Sequence, residues 1–490
     1  MHDLPVSPLI GELCAELSRT GIEYCHWKSN VNLTRAASGE SDLDLLVARS
    51  SASRFFDVLA RLRFKEAAPR EGRRLPGIRS YYAFDERTGR FVHVHAHFQL
   101  IIGHDLAKNY HLPIERHILE SSRETHLLPV PSRELELLVF VIRATLKFSI
   151  LDALARRSAR LSRSASRELE FLLAEADRDR VASELERCLP VVDDETFDLC
   201  LRALLEGGVW LRRMARARLE ACLAPFRLEH PALNRVTKLR NRVADLVRRR
   251  VFKMPTGKLL VSGGAIVAFI GGDGAGKSTA VKAVYEWLSP VFATMRVHLG
   301  RPPRSKRTLL LDLLLRAVRP FLRKPSWDRR GGERDGRRAR IGVAELLWLT
   351  RRVCLARDRY RAFARARRFA TNGGIVVCDR FPIPQLRLMD GPQASYVCDS
   401  RSAGRLTRYL MRAEEAYYEK FLPPEVLIVL RVDPDVAVRR KIDEPPDTVR
   451  ARCREVWEAD WSDVPAHIID ASSPADEVFR QIRSVVWREV

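Results

Sequence analysis

Nine consecutive residues, Gly271-Gly272-Asp273-Gly274-Ala275-Gly276-Lys277-Ser278-Thr279, restrict this chain more than any other stretch. They satisfy G-x-x-x-x-G-K-[ST], and the flanking sequence supplies the context that pattern needs. The apolar run Ala265–Ile270 reads as a buried strand. Behind the loop, Val281, Val284, Trp287 and Leu288 recur at helical spacing. Gly271, Gly274 and Gly276 permit backbone torsions and close approaches that a Cβ obstructs. Successive N–H groups then form an anion nest at the positive end of a new helix. Lys277 is expected to reach the β- and γ-phosphates of ATP, and the Ser278 hydroxyl to ligate Mg²⁺.

The rest of the chain is read around that loop. At about 100–200 residues per domain, 490 residues suggest roughly two to four domains. A hydrophobic fraction of 46% excludes a mainly disordered chain. No window approaches the roughly 18 uninterrupted apolar residues of a membrane span. Met1–Pro5 lacks the basic start and apolar run of a secretory signal. Nine scattered cysteines include no C-x-x-C pair. These features together predict a cytoplasmic protein with free thiols.

The net charge of +23 is uneven, and 72 of the 85 basic residues are Arg. Residues 1–130 are nearly balanced, with 17 basic against 16 acidic side chains. The excess lies in 234–258 (9 against 1), 301–340 (14 against 4) and 351–368 (8 against 1). Arg forks suit phosphate, so 301–340 is a candidate surface for an anionic partner or a lid. A solvated basic face explains the same charge.

Four segments follow. Residues 1–130 mix strands and helices, with strands at Ser41–Ala48 and Phe91–Ile102 and a helix near Ser51–Phe64. Residues 131–226 carry apolar positions at helical spacing, among them Leu135, Leu138, Val139, Ile142 and Leu146, and predict a helical subdomain. A basic linker occupies 227–260. Residues 261–490 alternate strands and helices, as a parallel α/β sheet does.

The loop Gly272–Thr279 resembles that of thymidylate kinases, which carry DGxGKST after a strand. Further parts follow in that family's order. The helical stretch 345–370 carries the pair Asp358-Arg359, and Ile375–Asp379 with Arg380 is similar to the family's strand ending in D-R. The strand Val426–Val432 leads into Asp433–Lys441. Over Ile266–Val490 the resemblance implies a P-loop kinase fold, ATP and Mg²⁺ as cofactors, and a nucleotide acceptor. It implies Mg²⁺ at Ser278 and Asp379, and Arg380 against the acceptor phosphate. It also implies lid arginines at Arg439 and Arg440 and a homodimer. Asp273 stands where the family meets the acceptor sugar. The stretches Pro382–Pro392 and His298–Pro303 depart from the family's base-framing and R-E-P-G-G segments.

In the first segment, Lys28-Ser29-Asn30 and then Ser41-Asp42-Leu43-Asp44 resemble the minimal nucleotidyltransferases, with Lys28 in place of the family's Gly. Strand alternation projects Asp42 and Asp44 from one face. The neighbouring strand offers His93, His95 and His97 where that family has a third carboxylate. Either His95 joins Asp42 and Asp44 in an altered metal site, or the fold persists without the reaction. A face that is simply polar is the third reading.

The expected function is transfer of the γ-phosphate of ATP to a nucleoside monophosphate or related acceptor. The alternatives are a nucleotidyltransferase with an ATP-sensing P-loop domain and a nucleic-acid-binding ATPase.

Overall fold

The computed structural model describes residues 6–69, 75–149, 160–247, 257–318, 343–386, 391–394, 404–442 and 444–490. The chain divides into two compact units, Met1–Thr256 and Gly257–Val490. No helix among the described residues is long and apolar enough to cross a membrane.

In the first unit, strands β1 (Tyr24–His26), β2 (Leu43–Val47), β3 (Lys65–Ala68), β4 (Ile78–Asp85) and β5 (Arg90–His97) lie in the order β1-β2-β5-β4-β3. Only β2 and β5 run parallel, with Asp44 opposite His95. Alternation sorts their side chains. Leu43, Leu45, Val92, Val94 and Ala96 share a core with Leu13, Leu17, Phe55 and Val58, which come from the helices Pro8–Arg19 and Ala52–Arg61. Asp44, His95 and His97 are left to the opposite face.

The strand expected over Phe91–Ile102 is two strands. β5 stops at His97, and β6 (Leu100–His104) pairs antiparallel with β7 (Ala107–Leu112) in a separate sheet. The Phe98 amide bonds the Gly77 carbonyl at 2.7 Å, and the chain turns at Gln99. The apolar run Leu100-Ile101-Ile102 does not alternate and is buried throughout, which marks a new environment rather than a continuing ladder.

Helices Arg133–Lys147, Arg163–Glu175, Arg178–Cys188, Asp194–Glu206 and Val209–Cys222 follow. Ser132 caps the first by accepting the Leu135 N–H. One hydrophobic cluster joins Trp27, Leu46, Leu100 and Ile102 to Leu135, Leu138, Phe197 and Leu219. The core therefore runs across residue 130, and the helices pack on the sheet. Within the basic stretch 227–260 the structure places a helix at Pro231–Val247.

The second unit begins with the short β8 (Leu259–Leu260). Its sheet holds β9 (Ile266–Gly271), β10 (Thr294–His298), β11 (Ile375–Asp379), β12 (Val426–Arg431) and β13 (Ala466–Asp470). All pairings are parallel, in the order β10-β11-β9-β12-β13. β9, β11 and β12 are almost continuously apolar and buried, as strands covered on both faces must be. The chain leaves β9 toward β10 on one side of the sheet, and its neighbour β11 leads to β12 on the other. That makes the carboxyl end of β9 a topological switch point, where crevices form in such sheets.

Candidate functional site

The loop Gly271–Gly276 leaves β9 at that switch point and delivers Lys277 into the first turn of the helix Lys277–Leu288. Gly271 has φ 152°, and a Cβ there would run into the Leu430 carbonyl of β12. Gly274 has φ 79°, and its Cβ would sit 2.9 Å from the Ala437 carbonyl. Neighbouring backbone thus leaves no room for side chains where the loop curls. Gly276 is the left-handed residue that opens the helix. Ala275 is buried and its N–H bonds the Gly272 carbonyl at 3.3 Å, while Ser278 and Thr279 are exposed.

Lys277 folds back over the loop, donating to the Gly271 and Gly272 carbonyls at 2.9 and 2.7 Å. Its ammonium lies 3.9 Å from the Asp273 carboxylate. Ser278 Oγ donates to Asp379 Oδ2 at 2.9 Å across 101 residues of chain. Asp379 ends β11, so parallel pairing of β9 and β11 brings the two oxygens together. A hydroxyl and a carboxylate at the carboxyl edge of a sheet form an oxygen donor set that suits hard Mg²⁺.

Asp273 is the hub of the loop's charge. Arg380 Nη2 lies 3.5 Å from its Oδ1, and Arg452 bonds its Oδ2. Arg452 also reaches Glu444 at 3.0 Å. Burial pushes the Asp273 carboxyl up, and Arg452, Lys277 and Arg380 outweigh it, holding the group below the usual carboxylate range. Arg380 itself has φ 63°, an uncommon left-handed backbone for a side chain of this size.

The expected lid arginines follow Ala437, whose carbonyl abuts Gly274 of the loop. Arg439 and Arg440 end the short helix Pro434–Arg440, and Arg440 donates to the Ala471 carbonyl at 3.0 Å. Among the described residues, no hydrogen bond joins either to the loop. Besides Arg380, Arg452 from the helix Pro446–Glu458 meets the loop at Asp273. Asp358 and Arg359 anchor the chain after β10. Arg359 Nε bonds the Leu299 carbonyl at 2.7 Å, and Asp358 accepts from the Ser305 amide and the Thr308 hydroxyl at 2.8 and 2.6 Å. In the expected basic surface 301–340, residues 319–340 lie outside the described ones, as do 387–390 in the stretch after Arg380.

In the first unit the carboxylate pair does not act as a pair. Asp42 turns to His93, 2.7 Å away. Asp44 meets His95 Nδ1 at 3.0 Å and Lys28 Nζ at 2.8 Å. His97 Nε2 approaches His95 Nδ1 at 3.3 Å and Asp44 at 3.8 Å, so His97 joins the group where Asp42 was expected. Burial raises the Asp44 carboxyl, but Lys28, His95 and His97 hold it well below its usual range. Burial lowers His95 and lowers His97 strongly, which leaves both imidazoles neutral near pH 7. Two imidazoles and a carboxylate already neutralised by an ammonium do not fit Mg²⁺, which favours oxygen ligands.

No family model matches the chain, and no curated protein matches it. Among solved structures, a thymidylate kinase from Candida albicans matches 46% of this chain and 91% of its own at 17% identity, with a TM-score of 0.27.

Proposed function

We propose that the second unit is a P-loop phosphotransferase that moves the γ-phosphate of ATP to a nucleoside monophosphate or a related acceptor. The observation that carries this reading is the loop at the end of β9, with Lys277 in the first helical turn and Ser278 2.9 Å from Asp379.

The residues take these roles. The amides of Gly272–Lys277 hold the phosphate tail, and Lys277 exchanges its bonds to Gly271 and Gly272 for the β- and γ-oxygens. Ser278 and Asp379 would hold Mg²⁺, which would supply positive charge to the phosphate tail. Arg380 and Arg452, joined through Asp273, stand beside the loop with guanidinium groups suited to an acceptor phosphate. Catalysis is then positioning and charge neutralisation of an in-line transfer.

The test incubates the protein with γ-labelled ATP and a panel of nucleoside monophosphates. Label should move to one acceptor, and Lys277→Ala should lower turnover on the order of 10²-fold or more, as loss of a transition-state donor does. Release of label only as inorganic phosphate, or unchanged turnover in Lys277→Ala, would overturn the assignment.

A further inference from the structure

The first unit contains a cleft of about 500 Å³ that the reaction above does not use. Its polar lining is lopsided. Among the described residues, Lys28, Lys108, Arg143, Lys147, Arg160 and Arg212 line the cleft together with two acids, Asp105 and Glu168. Both acids are engaged, Glu168 by Arg143 at 3.0 Å and Asp105 by Lys147 at 2.9 Å. Arg212 is buried, donates to the Ala144 carbonyl at 3.2 Å and lies over the Phe148 ring.

The two lysines are the informative members. Lys108 is half-buried, and among the described residues no carboxylate lies within ion-pair distance of it. Burial, and then the charge of Lys28, pushes its ammonium down to about 8. Lys28 sits between the cleft and the sheet, with its ammonium 2.8 Å from Asp44 and 5.1 Å from the Trp27 ring centre. Clustered cations in a low-dielectric cleft repel one another and lose hydration, a cost that a bound anion removes. Several lysine and arginine donors along one cleft match a phosphate or diphosphate, with its many acceptor oxygens, better than a carboxylate. Trp27, Phe140 and Phe148 give the cleft an apolar wall for the rest of the molecule.

We propose that this cleft binds a phosphate or diphosphate ester of a small molecule without a divalent cation. Lys28 and Lys108 grip the anion, and Lys28 occupies the place on Asp44 that a metal ion would need. A divalent cation on Asp44 would meet the Lys28 ammonium on the same carboxylate, and the repulsion excludes it. Ser29 also lines the cleft. Its left-handed backbone, φ 60°, turns the chain there, and its hydroxyl donates to Glu168 at 3.2 Å.

The test uses inorganic pyrophosphate as the probe, titrated calorimetrically into the full chain carrying Lys277→Ala, so that the phosphate loop of the second unit is disabled. Saturable heat is expected in EDTA, with no gain on adding Mg²⁺. Lys108→Gln and Lys28→Gln should each weaken binding about 10-fold or more, the loss of one charge-assisted hydrogen bond. Heat only with Mg²⁺, equal affinity for sulfate, or unchanged affinity in both variants overturns the proposal. Should either glutamine variant fail to melt cooperatively, the EDTA-against-Mg²⁺ comparison in the Lys277→Ala chain decides alone.

Discussion

The two units offer opposite solutions to holding negative charge. In the second, the donors are main-chain amides fixed by a strand, a turn and a helix start, and the carboxylate Asp379 accepts from the Ser278 hydroxyl. In the first, the donors are side chains projecting into a cleft, and the carboxylate Asp44 already carries an ammonium. Fixed amides reorganise little when charge moves, so the loop suits a reaction. Long side chains, each with its own rotamer freedom, suit a ligand that stays bound and unchanged. The contrast also separates metal dependence, since an oxygen pair invites Mg²⁺ whereas two imidazoles and a neutralised carboxylate do not.

The largest effect that tests this contrast is Lys277→Ala. Phosphoryl transfer should fall on the order of 10²-fold or more, while pyrophosphate binding in EDTA should persist. A variant that loses both would merge the two regions into one site. Next comes the reverse experiment on metal choice. Lys28→Ala frees Asp44 beside two neutral imidazoles, a donor set suited to Zn²⁺. Zinc affinity by calorimetry should rise by roughly tens of fold over the unsubstituted chain, given the size of the charge-assisted bond removed. Adding His95→Ala should cancel the gain. Tight zinc binding by the unsubstituted chain would show that Lys28 does not exclude a metal.

The two regions were unequally legible in the sequence. The loop could be read because backbone geometry demands glycine at fixed places within nine residues, and the structure puts Gly271 and Gly274 against the carbonyls of Leu430 and Ala437. Asp379 was reachable through an ordered resemblance, since strand pairing closes its separation of 101 residues from Ser278. Arg452 was not. It lies 179 residues from Asp273, in a helix reading Arg450-Ala451-Arg452-Cys453-Arg454, and nothing marks one arginine there above its neighbours. Arg439 and Arg440 drew attention through the same resemblance, by their place after the strand Val426–Val432. In the first unit, alternation placed Asp44 and the histidine face correctly. The Asp42 partnership with His93 and the Lys28 bridge to Asp44 depend on side-chain rotamers and on a turn 16 residues upstream, which periodicity does not encode. The break after His97 was hidden for a related reason, because an apolar run looks alike on either side of a change of sheet.

Arg452 supplies a smaller test within the second unit. Arg452→Ala removes the guanidinium bonded to Asp273 and leaves Arg380 3.5 Å away. If this pair positions the acceptor, kcat/KM for the acceptor should fall about 10-fold, the value of one charge-assisted bond. KM for ATP should hardly change, because the loop amides and Lys277 are untouched. Equal losses for both substrates would mean that Arg452 only maintains the shape of the loop.

The smallest effect concerns the cleft of the first unit. Lys108 is held down to about 8 by burial and by Lys28 and Arg143, against the opposing pull of Asp105 and Asp44. An anion favours the charged ammonium, so binding is strongest below that value and weakens as pH rises through it, from 7 to 9. Pyrophosphate gains negative charge over the same range, which works in the opposite direction. Dividing the affinity of the unsubstituted cleft by that of Lys108→Arg, both in the Lys277→Ala chain, cancels the probe's own ionisation, because arginine stays charged throughout. The ratio should drop several-fold between pH 7 and pH 9, since with a value of about 8 roughly ten in eleven Lys108 side chains are ammonium at the lower pH and roughly one in eleven at the higher. A ratio that stays flat would mean that Lys108 does not touch the anion, and the grip would then rest on Lys28 and the arginines of the cleft.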